Sequence, residues 1–130
     1  MTRWNHFIQA VHQQFAFLES EYGLSRRSEA PPCVIYESES VRAKVYFGRR
    51  YELDLVVKRV CDGPGVPSVG IALMMQYAGV PLNDIPLSPF PSTPQEIRSE
   101  VEKVAKLART YGDDLLRGDE TRWRVIRAHH

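Results

Sequence analysis

The stretch VIYESESVRAKVYFGRRYELDLVVKRV, residues 34–60, alternates apolar and polar side chains almost without a break. Successive side chains on a strand point to opposite faces, so this alternation fits half-buried strands and not a helix, whose apolar positions recur every three or four residues. Val41, Ala43, Val45 and Phe47 fall on one face, with Arg42, Lys44 and Tyr46 on the other. Tyr51, Leu53, Leu55 and Val57 repeat the apolar set. A three-residue Gly48-Arg49-Arg50 loop sets Phe47 against Tyr51, Val45 against Leu53, Ala43 against Leu55 and Val41 against Val57, leaving Lys44 against Asp54 outside. A two-residue loop puts Val45 opposite Glu52 and mixes the faces, because a one-residue slip turns a strand over. A turn at Glu39-Ser40 pairs Val34 with Val45 and Tyr36 with Ala43, and brings Glu37 beside Arg42. The expectation is a three-stranded antiparallel meander with one apolar face, and such a sheet needs a cover.

Helices supply it. Trp4, Ile8, Val11, Phe15, Leu18 and Tyr22 step by four and three residues along one helical stripe, with Thr2 as cap, Gly23 as terminator and Phe17 off the stripe. Residues 25–32, SRRSEAPP, read as a connecting loop. VGIALMMQYAG is expected to form a short helix capped by Ser68 and ended by Gly79. Residues 81–94 form a proline-rich connecting segment whose donor-poor backbone suits neither a helix interior nor a central strand. Thr93, Pro94 and Glu96 then mark a helix start, and Ile97, Val101, Val104, Ala108, Tyr111 and Leu115 form a second apolar stripe. Gly112 interrupts it before DDLLRGD, and ETRWRVIR reads as a last short helix anchored by Trp123 and Ile126. The expected fold class is α+β: one domain over 1–130, with the three-stranded antiparallel meander covered on one face by N-terminal and C-terminal helices. Residues 128–130, AHH, read as an expression-tag remnant and receive no role.

Composition narrows the function. Seventeen basic residues against sixteen acidic ones leave a formal charge of +1, which removes the long-range field typical of nucleic-acid binders. Polar residues break up the apolar N-terminus, so neither a signal peptide nor a span is expected, and the cytoplasm is the expected compartment. Cys33 and Cys61 lack CxxC spacing and lie toward opposite ends of the expected sheet, so both are expected to be reduced and in the core. His6 and His12 lie six residues apart, which is not the spacing of a helical metal pair. Asp113, Asp114, Asp119 and Glu120 form the densest acidic cluster, but their spacing matches no calcium loop, and capping after Gly112 and Gly118 accounts for two of them. DGPG lacks the residues of a phosphate cradle, and Arg26, Arg27, Arg49, Arg50, Arg122, Arg124 and Arg127 are interleaved with acids. No catalytic residue, metal ligand or cofactor is assigned, and neither a nucleic-acid nor a membrane partner is expected.

What remains is recognition. The outward strand positions Glu37, Arg42, Lys44, Tyr46, Glu52 and Asp54 combine an aromatic with both signs of charge, a composition suited to protein docking. Asp113 and Asp114 are the second candidate surface. FLESEYGL, the meander VIYESESVRAKVYFGRRYELDLVV and the closing YGDDLLRGD resemble segments of small cytoplasmic bacterial immunity proteins that neutralise polymorphic toxins. That resemblance implies a non-enzymatic protein that binds one cognate toxin and blocks its site, without cofactor or turnover. The alternatives are a small enzyme or ligand-binding domain with a pocket between the sheet and residues 69–80, and a self-associating domain using Met74, Met75 and Tyr77. The oligomeric state is left open.

Overall fold

A computed structural model describes residues 2–47, 53–84, 91 and 93–128. The chain is α+β, with helices laid on one face of an antiparallel sheet. It begins with α1 (Arg3–Gln14), where Thr2 Oγ1 accepts the Asn5 N–H at 3.2 Å. The expected single helix breaks after Gln14 and resumes as α2 (Phe17–Ser20). On one continuous helix Phe15 and Phe17 would point roughly 200° apart. The break lets Phe15, Phe17 and Leu18 all enter the core. Gly23, at φ 69°, turns the chain, and the Leu24 N–H returns to the Leu18 carbonyl at 2.9 Å.

The sheet has five strands, not three, in sequential antiparallel order: β1 (Ser25–Ala30), β2 (Cys33–Glu37), β3 (Val41–Phe47), β4 (Leu53–Arg59) and β5 (Val69–Gly70). β1 is the segment expected to be a loop. It is exposed throughout, so it carries no apolar alternation to betray it, and its pairing with β2 is interrupted by a register shift between Arg26 and Ser28. Between β2 and β3 the register is the expected one, with Val34 opposite Val45, Tyr36 opposite Ala43 and Glu37 opposite Arg42.

Between β3 and β4 the pairing is displaced by two residues: Phe47 faces Leu53, Val45 faces Leu55 and Ala43 faces Val57. A two-residue displacement keeps every side chain on its face. Val41, Ala43, Val45, Phe47, Leu53, Leu55 and Val57 are accordingly all buried on the helical side. The expected Gly48-Arg49-Arg50 loop lies outside the described residues.

After β5 comes α3 (Ile71–Tyr77), with Ile71, Met74 and Met75 buried. Its first residue is Ile71, so Ser68 does not cap it, whereas Gly79 does follow its end at φ 89°. A short 3-10 turn at Leu82–Asp84 follows. Most of the proline-rich segment beyond it, residues 85–90 and 92, lies outside the described residues.

The longest helix, α4 (Pro94–Tyr111), starts as its residues dictate, with the Glu96 N–H on Thr93 Oγ1 at 3.1 Å and Pro94 in the first turn. It packs on α1 and on β4. α5 (Asp113–Leu116) lies against β3, and α6 (Glu120–Ala128) buries Trp123 and Ile126. The Trp123 indole N–H donates to the Leu115 carbonyl at 3.1 Å, tying α6 to α5. Between these two helices Gly118 sits at φ 76°, and a Cβ there would come within 2.9 Å of Ser40 Cβ in the β2–β3 turn. Among the described residues no helix is long and apolar enough to cross a membrane.

Candidate functional site

Strand register places the outward side chains in three rows. Cys33, Tyr46 and Asp54 form the first, Ile35, Lys44 and Val56 the second, and Glu37, Arg42 and Lys58 the third. Lys44 therefore lies opposite Val56, and the expected Lys44–Asp54 pair is replaced by Tyr46 opposite Asp54. Ile35, Val56 and Tyr46 are half-buried and the exposed Lys44 stands between Ile35 and Val56, so the middle of the face sets one cation among apolar and aromatic side chains.

Asp54 has a structural task that the sequence did not disclose. Its carboxylate accepts the Leu55 N–H at 2.8 Å and the Ile71 N–H in the first turn of α3, which lacks a capping side chain of its own. Burial raises the Asp54 pKa, and the two backbone N–H groups only partly oppose this. Asp54 thus joins β4 to α3 and is half-buried on the outer face. Glu37 and Arg42 do meet, at 3.1 Å. Lys44 and Lys58 have no carboxylate partner among the described residues. Glu52 lies outside the described residues.

The acidic segment is dispersed rather than assembled. Asp113 Oδ1 accepts the Tyr22 hydroxyl at 2.5 Å and Arg117 Nε at 3.1 Å, while the Arg117 guanidinium lies 4.9 Å from the Tyr22 ring centre. These hydrogen bonds, from Tyr22 first and Arg117 second, hold the Asp113 carboxyl below its ordinary value. Burial, then the bond to Asp113, pushes Tyr22 up to about 12. Asp113 therefore clamps the chain after α2 to α5. Asp119 Oδ1 accepts the Arg122 N–H at 3.0 Å at the start of α6, and Asp114 is exposed alone. Asp113 and Asp114 belong to the helical layer and do not join the strand residues in one site.

A second cluster escaped the sequence reading. Asp62, in the loop after β4, accepts Arg59 Nε at 3.2 Å, an Arg59 terminal nitrogen at 3.0 Å, the Arg59 backbone N–H at 3.2 Å and an Arg127 terminal nitrogen at 2.5 Å. Both guanidiniums also lie against the Trp123 ring, at 5.7 and 5.2 Å from its centre. The three-residue spacing of Arg59 and Asp62 was a usable signal. The arrival of Arg127 from α6, 65 positions later, was not.

The cysteines are both free, but neither is in the core: Cys33 is half-buried on the outer face and Cys61 is exposed. His12 contacts the Glu29 carboxylate and so pins edge strand β1 to α1. Among the described residues, no three His, Cys, Asp or Glu side chains gather as a metal-ligand set. Shallow clefts of about 270–290 Å³ open at His6 and Arg98 between α1 and α4, at Ser40 and Cys61, at Arg42 and Lys58, and at Pro91 and Glu100. None of these four involves residues 69–80. Met74 and Met75 from that segment are buried in the core, which removes them from any self-association surface, and Tyr77 is half-buried.

No protein-family model, curated protein or solved structure matches the chain.

Proposed function

We propose that the chain is a non-enzymatic protein-binding module which presents the outer face of its sheet to a partner with an acidic surface. In this reading it acts in the cytoplasm as an immunity-type inhibitor, covering part of a toxin. The supporting observation is the face itself: half-buried Ile35 and Val56 flank the exposed Lys44, with Tyr46 next to it along β3, and Lys44 and Lys58 are two cations without carboxylate partners among the described residues. An aromatic and apolar centre supplies desolvation energy, and unmatched cations supply steering and selection. Strands supply rigidity, so little ordering is required on docking.

The test is co-expression with the product of the adjoining reading frame. The expected result is protection of the cell and a stable complex, with Tyr46→Ala weakening it by about tenfold or more, as anchor residues do. Lys44→Glu is expected to slow association and to flatten its dependence on salt. A complex indifferent to both changes, or an adjoining product that neither harms the cell nor binds, overturns the proposal.

A further inference from the structure

The outer face ends, beyond Arg42, in a cleft of about 270 Å³ lined by Arg42, Lys58, Arg59, Val60, Asp62 and Pro64. That volume is several times the roughly 30 Å³ share of one water, so a side chain can enter. Its own carboxylates are engaged: Glu37 on Arg42, and Asp62 on Arg59 and Arg127 together, while Glu39 and Glu120 line the neighbouring cleft on the far side of Arg59 and Val60. Lys58 has no carboxylate among the described residues, yet it stands directly opposite Arg42 across the β3–β4 ladder. Like charges at opposed positions on one face repel, and an anion between them relieves the repulsion.

The wall opposite the strands is held in place. The Val60 N–H donates to the Ser40 carbonyl at 2.9 Å, Arg127 donates to the Pro67 carbonyl at 2.8 Å, and Asp62 folds back on the Arg59 N–H. Val60 is 46% exposed although apolar, and with Pro64 it offers the cleft a dry side.

We infer that this cleft receives a glutamate or aspartate side chain of the protein partner, with Arg42 and Lys58 donating to its carboxylate and Val60 and Pro64 against its methylenes. The inference rests on the sheet face being the docking surface and specifies the chemistry that the partner brings to it. Lys58 and the Arg42 nitrogens not bound to Glu37, beside an apolar wall, select a carboxylate on a short apolar stem over a freely hydrated anion.

The experiment is an NMR titration of the labelled full chain with a short glutamate-rich peptide, and separately with inorganic phosphate, following the Lys58 Nζ and Arg42 Nε signals. The expected result is a saturable shift of both with the peptide. Lys58→Gln is expected to weaken this binding by about threefold to fivefold, as for loss of an exposed ion pair. Lys106→Gln on α4, whose lysine pairs with Glu102, serves as the control and is expected to leave it unchanged. An unchanged amide spectrum away from the cleft shows that Lys58→Gln folds. No saturable shift, equal peptide binding by Lys58→Gln, or saturation by phosphate and not by peptide overturns the inference. If the peptide fails while Tyr46→Ala still disrupts the partner complex, the cleft is wrong and the docking face stands. If the peptide binds while sheet variants leave the partner complex intact, the docking face is wrong and the cleft is a carboxylate site of its own.

Discussion

Asp62→Ala probes the ion network that joins the end of the sheet to the last helix. The Asp62 side chain is 5% exposed, that of Arg127 14% and that of Arg59 23%. The substitution removes four hydrogen bonds and leaves two neighbouring guanidiniums without their shared counterion. Breaking a buried pair from one side costs about 3–5 kcal/mol, because the surviving charge stays desolvated. Arg59 is exposed enough to turn toward water, which places the expected loss near the lower end, at about 3 kcal/mol. For a chain of 130 residues the unfolding entropy is roughly 0.27 kcal/mol/K, so Tm is expected to fall by about 11 °C.

Differential scanning calorimetry at pH 7 measures this directly. Adding Arg127→Met to Asp62→Ala is expected to restore about half of the loss, because the buried charge goes with its partner. A fall in Tm of less than about 3 °C would show that the network is solvated rather than buried, and the reasoning with it would fail. The dependence on pH follows from the same contacts. Burial works to raise the Asp62 pKa, but hydrogen bonds from Arg127 and Arg59 outweigh it and hold the carboxyl below its ordinary 3.8. Its contribution is therefore complete above 3.8 and is lost as pH falls through the lower folded value. The gap between the parent and Asp62→Ala should narrow below that point.

Two further predictions concern carboxyl groups whose pKa values are moved in opposite directions. Burial raises the Asp54 pKa, so ionisation destabilises the fold: its contribution is most favourable below 3.8 and declines as pH rises toward the folded value. Asp54→Asn keeps one acceptor oxygen for the Leu55 N–H while removing the buried charge, and in urea unfolding at pH 7 it is expected to equal or exceed the parent. A loss above about 1 kcal/mol there would refute this account. Tyr22→Phe removes the hydroxyl on Asp113 and is expected to cost about 1 kcal/mol, or about 4 °C in Tm. An NMR pH titration of the Asp113 carboxyl in that variant should show its pKa moving up toward 3.8, since the Tyr22 hydrogen bond is its largest support. An unmoved Asp113 would mean that Arg117 alone sets it.

The parts of this fold legible in the sequence are those governed by period and local chemistry. Alternation set the faces of β2, β3 and β4, and the Thr93-Pro94 start of α4 was readable residue by residue. The β3–β4 register was missed by two because a period of two cannot distinguish such shifts, and only the connecting turn can. β1 was missed because an edge strand exposed on both faces needs no apolar alternation. Cys61 was misplaced for a related reason: cysteines favour interiors on average, but this one stands in a loop held out by the Arg59–Asp62 turn. Asp54 and Asp113 read as surface charges because their partners, the Ile71 N–H and the Tyr22 hydroxyl, reach them only through tertiary folding.

These reassignments change the electrostatics of the proposed docking face. Read as a sequence, the face carried both charge signs, with Glu37, Glu52 and Asp54 against Arg42 and Lys44. Asp54 is turned to α3, where burial discourages its ionisation, and Glu37 is bound to Arg42. Among the described residues, Lys44 and Lys58 are then the unpaired charges left to meet a partner, one between Ile35 and Val56 and the other at the rim of the cleft. A chain with a formal charge of only +1 can thus present a locally positive face, because on that face Glu37 and Asp54 are taken up by internal contacts while Lys44 and Lys58 have no carboxylate partner among the described residues. Salt should therefore slow association with an acidic partner more than the net charge alone suggests.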